Sequence, residues 1–145
     1  MRLVIISGRS GSGKTTALRA LEDAGYNCID NFPVNLLQSL VHDALRDPAQ
    51  RNTNVAVCID ARSRDLDRFP ELLLALDRLS LDAQVIYLDA RSATLVKRFS
   101  ETRRRHPLTG PRTDLLQAIE AEREVLESIA DVADLTIDTT SLRGR

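Results

Sequence analysis

The residues best suited to chemistry lie in a single run near the start of the chain. Gly8, Arg9, Ser10, Gly11, Ser12, Gly13, Lys14 and Thr15 match the pattern G-x-x-x-x-G-K-[ST]. The spacing has a physical purpose. Glycines let the backbone fold into a nest whose N–H groups converge on phosphate oxygens. A helix opening at Lys14 adds the positive end of its dipole. Lys14 would meet the β and γ phosphates as a point charge, and the Thr15 hydroxyl would serve Mg²⁺. An apolar run (RLVIIS, residues 2–7) precedes the motif and a helical pattern follows it. That context separates a phosphate loop from a chance glycine turn. The run predicts a nucleoside triphosphate site, with Mg²⁺.

A carboxylate on the metal side should end a strand beside the loop. Asp60, after VAVCI, is the first candidate and Asp89, after QVIYL, the second. Either could instead cap a turn, since Asp readily bonds nearby backbone. Arg98, Arg103, Arg104 and Arg105 form the densest basic stretch, running from a helix into a loop with Pro107. Arginines in such a place could close over phosphates as a lid. They could also be a solvated helix end favouring the C-terminal dipole, or contact RNA phosphates. Asp30 and Asn31 stand where a second substrate would bind in a kinase, and equally where a turn and a helix cap would form. No catalytic residue is assigned, His106 included.

The elements that must position these residues alternate. Strand patterns cover residues 2–7, 27–29, 55–59, 84–88 and 134–137. Helical patterns cover 14–24, 33–46, 70–79, 92–104 and 114–129, with Leu36, Leu37, Leu40, Val41 and Ala44 as the apolar face of the second and Ser92 as N-cap of the fourth. Residues 47–54 and 106–112 read as loops. Strand–helix alternation implies a parallel five-stranded sheet with helices on both faces, the kinase-like α/β architecture of P-loop NTPases. Ligands on such sheets bind beyond the carboxyl ends of the strands. Asp30, Asp60, Asp89 and Asp138 all fall there.

The chain has 145 residues, 43% of them hydrophobic and 28% charged, which suits one domain with a real core. Net charge is −1, without the basic excess usual in nucleic-acid-binding domains. Any base-stacking surface would have to come from Phe32, Phe69, Phe99, Tyr26 or Tyr87. Cys28 and Cys58 match no metal spacing and read as buried free thiols of a reducing compartment. With no signal peptide and no apolar stretch of membrane length, the expectation is a cytoplasmic protein with no membrane partner.

The segments SGRSGSGKTTALRALEDAGYNCIDNFP, CIDARS, YLDARSATLVKRFSETRRRHPL and ADLTIDTT, in this order over nearly the whole chain, resemble the RapZ family of bacterial nucleotide-binding RNase adapter proteins. The phosphate loop alone would not single out the family; ETRRRHPL together with CIDNFP is much more specific. The resemblance implies ATP at residues 8–15 and GTP at the short element Asp60, Ala61, Arg62 and Ser63. The residue reading instead puts Asp60 beside Mg²⁺ with Thr15. The resemblance further implies a role in presenting small regulatory RNA to an endoribonuclease in the control of amino-sugar synthesis, and self-association. Family members carry a C-terminal domain to which RNA and metabolite binding are largely attributed. Residues 1–145 are read as the N-terminal nucleotide-binding domain without it.

Three functions follow as expectations: a regulatory nucleotide-binding domain with at most slow NTP hydrolysis, a small-molecule or nucleotide kinase, and an RNA adapter module using Arg103–105 directly.

Overall fold

The apolar β-branched runs assemble into one parallel sheet. The computed structural model describes residues 2–46, 53–77, 82–102 and 115–140. Its strands are β1 (Arg2–Gly8), β2 (Asn27–Ile29), β3 (Asn54–Ile59), β4 (Asp82–Asp89) and β5 (Leu135–Asp138). They lie in the order β2-β3-β1-β4-β5, every neighbouring pair parallel. The helices are α1 (Lys14–Asp23), α2 (Leu37–Arg46), α3 (Phe69–Asp77), α4 (Ser92–Thr102), α5 (Leu115–Val125) and α6 (Glu127–Ala130). The alternation read from the sequence is therefore the alternation of the fold.

Strand periodicity decides what each face buries. Leu3 and Ile5 of β1 point to one face with Val55, Val57, Ile59, Val85 and Tyr87. There Leu37, Val41, Phe69, Leu76 and Ile129 from α2, α3 and α6 close the main core. Val4 and Ile6 point the other way, with Ala56 and Leu88, under Ala17, Leu18 and Leu21 of α1. A third cluster, Ala90, Leu95, Phe99 and Ile119, forms where α4 meets α5 beside the carboxyl ends of the strands. Each fully buried Leu, Ile or Phe contributes roughly 1.5–3 kcal/mol of transfer free energy, so the central strand is firmly held.

Three elements differ from the sequence expectation. The segment after Pro33 opens as a 3₁₀ turn, Val34–Leu36, before α2 begins. Three residues per turn bring Val34 directly in line with Leu37, and both are fully buried. Leu36 is rotated out and is 48% exposed, so it does not belong to the apolar face. The long helix expected over residues 114–129 is two helices broken at Leu126. The break lets α5 pack on α4 while α6 packs on the sheet at β1 and β4. Ser92 is the first helical residue of α4 and not its cap, because Leu95 N–H already bonds the carbonyl of Arg91. The loops expected over residues 47–54 and 106–112 lie mostly or wholly outside the described residues.

The turn out of β1 depends on a missing side chain. A Cβ on Gly8 would lie 2.1 Å from the carbonyl oxygen of Leu88, a main-chain atom of β4 that cannot swing aside. Gly8→Ala should therefore destabilise the fold by at least about 3 kcal/mol, lowering Tm by roughly 10 °C. Thermal unfolding followed by circular dichroism measures this, and a Tm within about 2 °C of wild type would contradict the packing described.

Candidate phosphate-binding site

β1 delivers Gly8 to the centre of the sheet rim, between β3 and β4. The chain then turns tightly, with Ser12 N–H bonded to the Arg9 carbonyl at 3.1 Å. Gly11 (φ 85°) and Gly13 (φ 107°) take left-handed backbone angles that ordinary side chains disfavour. At Gly11 a Cβ would also press on the Phe99 ring, 3.4 Å away. Gly13 is the N-cap of α1 and has no side chain with which to cap it. No side-chain cap therefore closes the start of α1 on the side of the loop. Lys14 Nζ donates to the Gly8 carbonyl at 2.8 Å, so its charge lies across the loop. Ser12 Oγ is a buried side-chain oxygen with no hydrogen-bond partner, and it lies within the loop. Such an orphan calls for an explanation, and a bound ion or water is one.

Four side chains, Arg9, Glu122, Arg98 and Thr139, tie the loop to its surroundings. Arg9 is fully buried. Its Nε donates to Asp89 Oδ1 at 2.8 Å, one terminal nitrogen to Ser92 Oγ at 2.9 Å, and the other to the Ala90 carbonyl at 2.6 Å. Ser92 passes the chain on, donating to Glu120 of α5. Ser10 is held through both its groups, N–H to Glu122 Oε1 at 2.8 Å and hydroxyl to Glu122 Oε2 at 2.7 Å. Arg98 reaches from α4 to the Gly11 carbonyl at 2.8 Å and to Thr139 Oγ1 and O. Thr139 in turn donates its hydroxyl to the Ser12 carbonyl at 2.8 Å.

The four acids expected at the rim are all at the carboxyl ends of their strands, but their environments differ. Asp89 is committed to Arg9. Asp138 accepts from the Thr140 N–H, and bonds with Thr140 and the charges of Arg91 and Arg98 hold its carboxyl below the usual carboxylate range. Asp60 continues beyond β3, half-buried, with one carboxylate oxygen accepting from Arg62 N–H at 3.0 Å. Ser63 closes that turn through its N–H on the Asp60 carbonyl, and its hydroxyl accepts from Val34 N–H. Ala61 is buried beneath the turn and Arg62 is exposed. Asp30 is exposed and accepts from Asn31 N–H. Between these acids lies the Cys58 thiol. Burial pushes its pKa up to about 12, against the opposing pull of Lys14, while Asp30 and Asp60 add to the rise. Lys14, Asp30, Cys58 and Asp60 therefore share one neighbourhood, and the thiol stays neutral at any ordinary pH.

The structure brings together residues 8–15, Asp60 and Arg98. Arg98 contacts the main chain of the loop at Gly11 and the backbone and hydroxyl of Thr139. Arg103, Arg104 and Arg105 lie outside the described residues. Phe32, Phe69, Phe99 and Tyr87 are buried, so a stacking surface for bases cannot be built from them. Sequence reasoning missed Glu122 and Thr139. Glu122 had a readable signal: it stands one turn beyond Ala118 and Ile119 on the buried face of α5, where a carboxylate needs a partner. Thr139 had none.

Among the described residues no helix is long and apolar enough to cross a membrane. None of their His, Cys, Asp and Glu side chains cluster in threes as a metal cage. Mg²⁺ does not require such a cage, since it is commonly held by one or two protein oxygens together with phosphate and water.

A parallel sheet in this order, with a braced glycine loop running from its central strand into a helix, defines a P-loop fold of the kinase-like α/β class. The chain belongs to the RapZ-like N-terminal domain family, whose model matches residues 1–145. A nucleotide-binding protein of Hahella chejuensis is 52% identical over 144 residues, covering 98% of this chain and 50% of that protein. One from Pseudomonas aeruginosa is 55% identical with the same coverage. The chain thus spans about half the length of the curated relatives it matches. Among solved structures, shikimate kinase from Acinetobacter baumannii in complex with shikimate superposes with a TM-score of 0.62 at 17% identity, over 99% of this chain and 86% of that one. A gluconokinase from Sinorhizobium meliloti superposes with a TM-score of 0.54 at 18% identity, over 94% and 82%. At these identities the two kinases share the fold.

The Arg9 brace is testable. Arg9→Met strands the Asp89 carboxylate beside a buried apolar chain and should cost roughly 3–5 kcal/mol in urea unfolding. Adding Asp89→Asn should recover most of that loss. A loss below about 1 kcal/mol for Arg9→Met would mean the brace does not hold the loop.

Proposed function

We propose that this chain is a nucleotide-binding domain that takes Mg²⁺ and a nucleoside triphosphate at residues 8–15. The observation that carries this reading is the loop itself. Its glycines hold left-handed angles, its helix N-terminus has no side-chain cap, and Ser12 Oγ is buried without a partner. The amides of the first turn of α1 and the Lys14 ammonium would hold the phosphates; Thr15 and Asp60 would hold Mg²⁺. Asp60 is preferred to Asp89 because Arg9 occupies Asp89. Bound Mg²⁺ would neutralise charge on the terminal phosphates. The protein supplies the fixed donors, whose geometry needs no rearrangement on binding.

The names of the relatives, nucleotide-binding proteins at 52–55% identity, support the same reading. Within the longer family protein the domain would act in a cytoplasmic RNase adapter, with nucleotide state governing how small RNA and an endoribonuclease engage the remaining half. The short element Asp60, Ala61, Arg62 and Ser63 is the place for a GTP contact, since Arg62 is exposed there. Any hydrolysis by this domain would be slow.

A kinase is the second reading. It is favoured by Asp30, an exposed carboxylate at the carboxyl end of β2, which would serve an acceptor hydroxyl. Robust phosphoryl transfer to a supplied hydroxyl acceptor, lost in Asp30→Asn, would promote it over the first.

Titration calorimetry with ATP and with GTP tests the proposal. Lys14→Ala should weaken binding ten- to a hundredfold, as expected for a charge-assisted phosphate contact of about 1.5–3 kcal/mol. Asp60→Asn should weaken the Mg²⁺ dependence more than Asp89→Asn does in a folded protein. Nucleotide affinity untouched by Lys14→Ala would overturn the assignment of the loop.

A further inference from the structure

Glu122 is an unusual group to find beneath a loop built for anions. It is fully buried, and it faces the same Ser10 that belongs to the phosphate loop. Its position follows from the packing. α5 meets α4 through Ile119, Leu95 and Phe99, and the Phe99 ring lies against Gly11. Glu122 follows Ile119 by one turn, which carries its carboxylate under the outer wall of the loop.

We propose that Glu122 is a positioning residue for phosphate binding. Its two oxygens clamp Ser10 by the main-chain N–H and the hydroxyl together, which fixes the peptide plane at the point where the chain turns toward Gly11. A nest works only if its successive N–H groups converge, and convergence depends on each peptide plane along the turn. Clamping Ser10 restricts the planes of the peptides that follow it. Besides Arg9, two further braces act on neighbouring points, Arg98 on the Gly11 carbonyl and Thr139 on the Ser12 carbonyl. The three contacts on Ser10, Gly11 and Ser12 leave the first half of the loop little freedom. A donor set already in place binds without the entropic cost of ordering a mobile loop. The proposal rests on the nucleotide-binding reading above.

The test uses calorimetric titration of the protein with MgATP, together with amide hydrogen exchange at Ser10. Wild type, Glu122→Ala, Glu122→Gln and Ile129→Ala are compared at a temperature where each is folded. Ile129 lies in the main core, away from the loop, so its alanine variant controls for lost stability alone. Glu122→Gln keeps an oxygen for the Ser10 N–H, and its amide can face the hydroxyl. The expected result is about a tenfold loss of affinity and faster Ser10 exchange in Glu122→Ala. Glu122→Gln should stay within about threefold of wild type, and Ile129→Ala should bind as wild type does. Should Glu122→Ala fail to fold, Ser10→Ala removes only the hydroxyl half of the clamp and should lose about threefold. Wild-type affinity in Glu122→Ala or, where that variant does not fold, in Ser10→Ala overturns the proposal. An equal loss in Ile129→Ala also overturns it. No MgATP binding by wild type at all would overturn the nucleotide reading itself, a result distinct from either.

Discussion

A guanidinium cannot give up its charge inside a protein, so a fully buried Arg9 constrains everything that touches it. It needs acceptors on every nitrogen, and it finds them on the end of β4 and the start of α4: Asp89, the Ala90 carbonyl and Ser92. The loop after β1 is thereby tied to a neighbouring strand end and to the first residue of a helix. The β1–β4 register, with Gly8 opposite Leu88, brings these groups to the same level. Removing the charge would leave Asp89 exposed to the cost of burial, while keeping it removes Asp89 from any other duty. One interaction thus shapes the loop and takes up Asp89.

The remaining braces extend this logic. Helices α4 and α5 come together on a small apolar cluster, and each then sends one charged side chain back to the loop, Arg98 from α4 and Glu122 from α5. β5 adds Thr139 from the far side. The phosphate loop is consequently a junction of four elements beyond its own strand and helix. Shifts in its main chain would be felt first in α4, α5 and the segment leaving β5.

Much of this was legible in the sequence because the signals were local. Short β-branched runs ending in Asp or Gly gave the parallel strands, and the glycine spacing with Lys14 gave the loop. The failures were tertiary. Leu36 has the right spacing for a helix face, but the 3₁₀ turn after Pro33 rotates it into solvent. Ser92 has the composition of a cap, yet its hydroxyl serves Arg9 and Glu120 instead. The roles of Arg9, Glu122 and Thr139 depend on partners about 40 to 130 positions away, and no pattern in a single segment encodes such pairings. Arg9 in particular reads as one of the variable positions of the motif, whereas the fold uses it as the main anchor.

On the nucleotide-binding reading proposed above, the loop is already in its binding form, held by side chains that do not themselves touch the ligand. Two-dimensional ¹H–¹⁵N spectra recorded through a MgATP titration address it directly. The account predicts that the amides of Gly11, Gly13, Lys14 and Thr15 shift most, while the Arg9 Nε–H and Ser10 amide signals, slow to exchange before any ligand is added, keep their positions. Large movements of the Arg9 and Ser10 signals, or ligand-induced shifts that bypass residues 11–15, would contradict it.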